Sequence, residues 1–62
     1  MEQYDKFRIL KDLPEEGIIK GQTGCILEVW DENHFEVEIS DPSNGFTLFL
    51  GALSRDVLEV VK

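Results

Sequence analysis

The chain has one cysteine, Cys25, so it cannot close an intramolecular disulfide. Small secreted domains usually depend on such bonds, and the expectation is a reducing, cytoplasmic setting. No uninterrupted apolar run approaches the ~20 residues that span a bilayer. The opening stretch MEQYDKFRIL has an acidic residue at position 2 and no long apolar run behind basic residues, which argues against a secretory signal and against membrane association. Basic residues are scarce and scattered: Lys6, Arg8, Lys11, Lys20, Arg55 and Lys62. Without clustered Lys and Arg there is little counterion release to drive nucleic-acid binding, and none is expected. One histidine beside one cysteine cannot make a conventional zinc site, so His34 reads as an exposed turn residue, and no metal or cofactor is expected. Cys25 reads as a small strand residue.

What is abundant is acid. Thirteen Asp and Glu against six Lys and Arg leave a net charge of -7 on 62 residues. Such a field repels phosphates and anionic lipid and attracts basic partners. The length allows a single domain, 1–62, which buries only about 60% of its unfolded surface and is marginal in stability. An apolar fraction of 42% beside 31% charged residues is that of a folded chain rather than a disordered one.

Periodicity gives the architecture. "FRIL" is a short apolar run, and "DLPEEGIIKGQTG" after it reads as a long loop anchored by Leu13, Ile18 and Ile19. "CILEVW" is apolar on both parities, as in a bent strand whose inward face switches at a bulge near Leu27 and Glu28. "DENH" and "SDPSNG" are turns flanking "FEVEI", which alternates cleanly with Phe35, Val37 and Ile39 inward and Glu36 and Glu38 outward. "FTLFLGAL" is a further strand. "SRD" is one helical turn started by the Ser54 side chain, and "VLEVV" closes the chain. Nothing sustains a helical period. The reading is all-β: a small five-stranded antiparallel SH3-like barrel, strands near 5–11, 24–31, 34–40, 45–51 and 57–61, with one short helical turn before the last strand. The expected core is Phe7, Ile9, Ile26, Val29, Phe35, Val37, Ile39, Leu48, Leu50, Leu53, Leu58 and Val60 or Val61. Gly21 and Gly24 fall where the loop becomes a strand, and Gly24 is expected at positive φ. A phosphate-binding loop would need a helix after it, and here a strand follows.

"DLPEEGIIKGQTGCILEVW", "FEVEI" and "GFTLFLGALSRDVLEVV" together resemble a family of short bacterial proteins of unknown function. The resemblance runs from about Asp5 to Val61, and "DLPEEGIIKG" is its most specific part. It implies an SH3-like barrel and carries no activity or site residues. More distantly, "KGQTGCI" is similar to the Lys-Gly-x-x-Gly-x-Val turn of KOW modules, a look shared by photosystem I accessory and nitrile hydratase-type barrels. The chain departs from nucleic-acid-binding KOW modules in its acidity. It also lacks the paired tryptophans and the Pro-Ser-Asn-Tyr-Val stretch of eukaryotic SH3 domains, which counts against proline-rich ligand binding.

Function follows from charge and rings rather than from a reaction motif. Paired carboxylates such as Glu36 and Glu38, with Glu28 across from them, perform acid–base work only inside a pocket, and a body this small has little room for one of ~300 Å³. The expectation is a non-enzymatic protein-binding module, of antitoxin, immunity or accessory-subunit type, engaging a basic protein partner. Its contact residues are Glu36, Glu38 and Trp30 on one hairpin, with Asp12, Glu15 and Glu16 on the rim of a groove beside the long loop. Trp30 is either an exposed anchor or the cover of one barrel end. The alternatives are a structural homo-oligomer that pairs its own strands and a KOW-like nucleic-acid-associated module.

Overall fold

The computed structural model describes residues 1–61; the scattered basic position Lys62 lies outside them. Five strands form one antiparallel sheet: β1 (Lys6–Ile9), β2 (Thr23–Val29), β3 (His34–Ser40), β4 (Thr47–Ser54) and β5 (Leu58–Val60). Their order is β4-β3-β2-β1-β5, so β4 and β5 are the sheet's two edges. The described helical elements are single 3-10 turns at Pro14–Glu16 and Arg55–Val57. Among the described residues no helix is long and apolar enough to cross a membrane.

The clean alternation of β3 does what it predicts. Phe35, Val37 and Ile39 are buried, while His34, Glu36, Glu38 and Ser40 face out. The anticipated bulge is present in β2. Ile26 pairs with Val37 and Glu28 with Glu36, leaving Leu27 as the extra residue. That irregularity turns Glu28 outward after Ile26 has turned inward, which explains the apolar residues on both parities.

β4 differs from expectation. It runs to Ser54, and Ile39, Val37 and Phe35 pair with Phe49, Gly51 and Leu53. Leu53 is therefore buried and Phe49 packs against the core, whereas Leu48 and Leu50, both expected inside, are exposed. The cause is register: a shift of one residue exchanges the faces of a strand, and the partner's alternation decides which set goes in. Val29 and Val61 are likewise exposed rather than core, and Val60 is half-buried. Ile18 and Val57 take up the vacated interior, both buried.

The long loop folds back on the sheet. Leu13 and Ile18 form an antiparallel bridge around the Pro14–Glu16 turn, with Gly17 left-handed at φ 71°. The Gly21 N–H donates to the Ile9 carbonyl at 2.9 Å, and the Ile9 N–H donates to the Gln22 carbonyl at 2.8 Å. Gly21 supplies the positive φ at this point, 94°, and Gly24 does not. The need for glycine at position 24 is proximity instead. Gly24 lies between Phe7 and Ile39 in the sheet, and a Cβ there would collide with the Glu38 carbonyl oxygen and stand 2.9 Å from Phe7 Cζ. Ser54 also acts differently from a helix cap. Its hydroxyl donates to the Asp56 carboxylate and makes no bond to the turn's backbone.

Candidate functional site

The outer surface of β2, β3 and β4 is built by cross-strand pairing. Cys25, Glu38 and Leu50 make one row across it, and Glu28, Glu36 and Ala52 make the next. Trp30 follows one residue beyond β2, its N–H donating to the His34 carbonyl at 3.0 Å. The indole is 64% exposed, so Trp30 is open to solvent and does not seal an end of the sheet. Beside it, His34 Nδ1 lies 3.0 Å from Asp31 Oδ1. The Asn33 N–H donates to that same oxygen at 2.7 Å, and together these bonds lower the Asp31 pKa, the backbone bond from Asn33 contributing most.

Glu28 and Glu36 are direct antiparallel partners, an arrangement in which like charges oppose folding. Glu38 stands two residues along and accepts a 2.7 Å hydrogen bond from the Thr47 hydroxyl. The ion pairs among the described residues are Arg8–Glu59 at 3.7 Å and Asp31–His34 at 3.0 Å, and neither offsets these three carboxylates. The face thus combines concentrated negative charge, an exposed tryptophan and the exposed Leu50.

The residues expected around the long loop separate into two sets. Glu15 and Glu16, with Leu13 and Pro14, line an open groove of about 350 Å³ whose other wall is Ala52, Leu53, Ser54 and Val57. The room for such a hollow corrects the expectation drawn from size alone, since the loop stands off from β4 and adds a wall the sheet lacks. The groove is open and mostly apolar, without the convergent polar groups of an enclosed site. Glu36 is the cross-strand neighbour of Ala52, which lines this groove, but is not itself part of its lining. Asp12 belongs elsewhere. Its Oδ1 accepts the Lys20 N–H at 2.7 Å, and it borders a different hollow with Gly17, Ile18 and Ile19, so it holds the loop's base rather than the groove's rim.

Sequence reasoning missed Leu50 as a surface residue, although its pairing with Glu38 is set by the same alternation that places Glu38 outside. It also missed Leu13, Pro14 and Val57 as groove walls. The Leu13–Ile18 spacing around Pro14 and Gly17 held a signal for a turned-back loop, and the wall it would face depended on the extent of β4.

Residues 3–60 match a family described as a domain of unknown function, DUF4926, and the chain belongs to it. No curated protein and no solved structure matches the chain.

Proposed function

We propose that this DUF4926 domain is a non-enzymatic protein-binding module whose acidic outer face meets a basic protein partner. The carrying observation is the cluster of Glu28, Glu36 and Glu38, two of them directly opposed, without an offsetting cation among the described residues and next to an open Trp30. A basic partner would supply the missing charge, and the opposed pair then ceases to be a cost. Charge steers the encounter and sets the on-rate, while the indole, with Leu50 near the same face, supplies buried apolar area and slows release. Glu15 and Glu16 extend the acidic field along the groove toward Ala52.

The finer fold reading belongs with this proposal. The order β4-β3-β2-β1-β5, the long loop between β1 and β2, and the 3-10 turn linking β4 to β5 support an SH3-like barrel. The KOW-like turn brings no nucleic-acid role with it, because the net charge of -7 opposes phosphate contact. A reducing cytoplasmic compartment fits the free, half-buried Cys25. An antitoxin, an immunity protein or an accessory subunit answers the description.

The test is capture from an extract of the source cells with wild type and with a Trp30→Ala, Glu36→Lys, Glu38→Lys variant. All three positions are on the surface side, so the variant keeps its circular dichroism spectrum. Wild type retains a basic protein that the variant releases. Equal capture by a folded variant, or no capture by wild type, contradicts the proposal.

A further inference from the structure

β4 is an edge strand of eight residues, Thr47–Ser54, and it contains neither a charge nor a proline. Natural edges are blunted by brevity, charge, proline or a bulge. The opposite edge, β5, shows two of these devices: it is three residues long and carries Glu59, paired with Arg8. The irregularity of β4 falls near its start, at Leu48, and from Phe49 to Ser54 every residue pairs with β3 in unbroken register. Hydrogen-bond phase shows which backbone groups this regular stretch leaves open. Just past the His34–Ser54 pair, the Arg55 N–H donates to the Asn33 carbonyl at 2.8 Å. Antiparallel partners alternate between bonded and non-bonded pairs, so Leu53 and Gly51 turn their N–H and C=O toward β3, whereas Ala52 and Leu50 turn theirs to the open edge. Among the described residues, no backbone bond outside the sheet pairing engages either of them.

The two sides of this edge differ in character. On the outer face Leu50 and Ala52 sit in rows with Glu38 and Glu36. On the inner side runs the groove of about 350 Å³, with Ala52 and buried Leu53 on one wall and Leu13 and Pro14, beside Glu15 and Glu16, on the other. Given the acidic-face reading, on which this rests, we infer that the basic partner contributes an extended segment that adds to β4 as a further antiparallel strand. Lysine or arginine occupies one parity of that segment and apolar residues occupy the other.

Bonded to Leu50 and Ala52, two residues of the segment place their side chains on the outer face, level with Glu38 and Glu36. Their Cα atoms stand about 10 Å from those of the glutamates, two interstrand spacings, a gap that a lysine or arginine stem and a glutamate side chain close together. The stems run over the Ala52 methyl and Leu50 and cover apolar surface, while the charged heads reach the carboxylates. Glu38 gives one oxygen, Oε2, to the Thr47 hydroxyl and keeps Oε1 for the cation. The intervening side chain opposite Leu53 points the other way, into the groove. A segment basic on one parity and apolar on the other thus meets charge on one side of the edge and an apolar hollow on the other. A second β4 is the poorer occupant. It carries no cation and leaves the opposed Glu28 and Glu36 unrelieved.

The experiment is amide NMR on the purified chain, titrated with a capped heptapeptide that alternates lysine and valine. Binding shifts the Leu50 and Ala52 amides and slows their hydrogen exchange, and leaves Glu59 on the opposite edge unmoved. Methylating the backbone nitrogens of the peptide's lysines abolishes both effects, because these are the nitrogens that face β4, and methylating those of its valines does not. A Glu36→Gln, Glu38→Gln variant binds the peptide about fivefold more weakly, as the loss of two exposed ion pairs predicts. Shifts that survive lysine methylation, that fall equally on β5, or that are indifferent to the glutamine variant overturn the inference. So does a chain that runs alone at twice its 7.1 kDa mass in light scattering and must dissociate to take the peptide. If the peptide leaves Leu50 and Ala52 unmoved while the Trp30→Ala, Glu36→Lys, Glu38→Lys variant still releases the captured protein, strand addition is overturned and the acidic face stands.

Discussion

A methyl group at Gly24 would have to displace the Glu38 carbonyl and the tip of the Phe7 ring, whereas one at Gly21 would meet nothing within 4 Å. The two glycines three residues apart therefore do different work, one permitting contact and the other a left-handed turn at φ 94°. Gly24→Ala should cost about 1–3 kcal/mol through overpacking that neither strand can relieve. Gly21→Ala should cost about 1 kcal/mol, from conformational strain alone. Urea denaturation of the two variants checks the order, and a Gly24→Ala protein as stable as wild type contradicts it. The sequence carried the need for glycine at both sites but could not divide the reasons, because the close approach depends on which β3 carbonyl ends beside residue 24. Asp31 sets a second expectation. The Asn33 N–H and then His34 hold its pKa below the ordinary 3.8, so the folded chain keeps this carboxylate ionised where the unfolded chain binds a proton. Its contribution is complete above the unfolded value and is lost as pH falls through the folded one. The melting-temperature gap between wild type and Asp31→Ala should be constant near neutrality and narrow below about pH 4. A gap that widens on acidification contradicts the assignment.

At the scale of the element, β4 shows where pattern reading stops. β3 could be read from its own residues because polar and apolar positions alternate without exception. β4 offers Leu48, Phe49, Leu50, Ala52 and Leu53, apolar on both parities, so its face is chosen by the partner strand rather than by itself. The bulge at Leu27 was legible because the apolar residues of β2 change parity across it. The depth of Ile18 was less so, since a loop position gains burial only from where the loop lands. The register makes a direct prediction. Leu53→Ala should cost about 2–4 kcal/mol, as a buried leucine does. Leu48→Ala, in dilute solution, should stay within about 0.5 kcal/mol of wild type. Equal losses at the two positions would mean that β4 sits one residue out of this register.

For the whole molecule, the five antiparallel strands were legible from strand-length runs and turn residues, while the candidate site was legible only in part. Alternation alone sent Glu36 and Glu38 outward, and composition alone announced an acidic surface. The separation of Asp12 from Glu15 and Glu16 was not readable, because the three are close in sequence and the loop's fold turns Asp12 to cap Lys20. The openness of Trp30 depended likewise on the end of β2. That residue now serves as the reporter, since it is the chain's single tryptophan and stands on the face assigned to the partner. The most direct measurement is the emission of Trp30 as the captured basic protein, in a tryptophan-free form, is titrated in at low and then high salt. Burial of the indole should shift its emission to shorter wavelength with a saturable dependence on partner, and added salt should weaken the apparent affinity. Saturable binding that leaves Trp30 emission unchanged, or that is indifferent to salt, would contradict the acidic face as the site of contact.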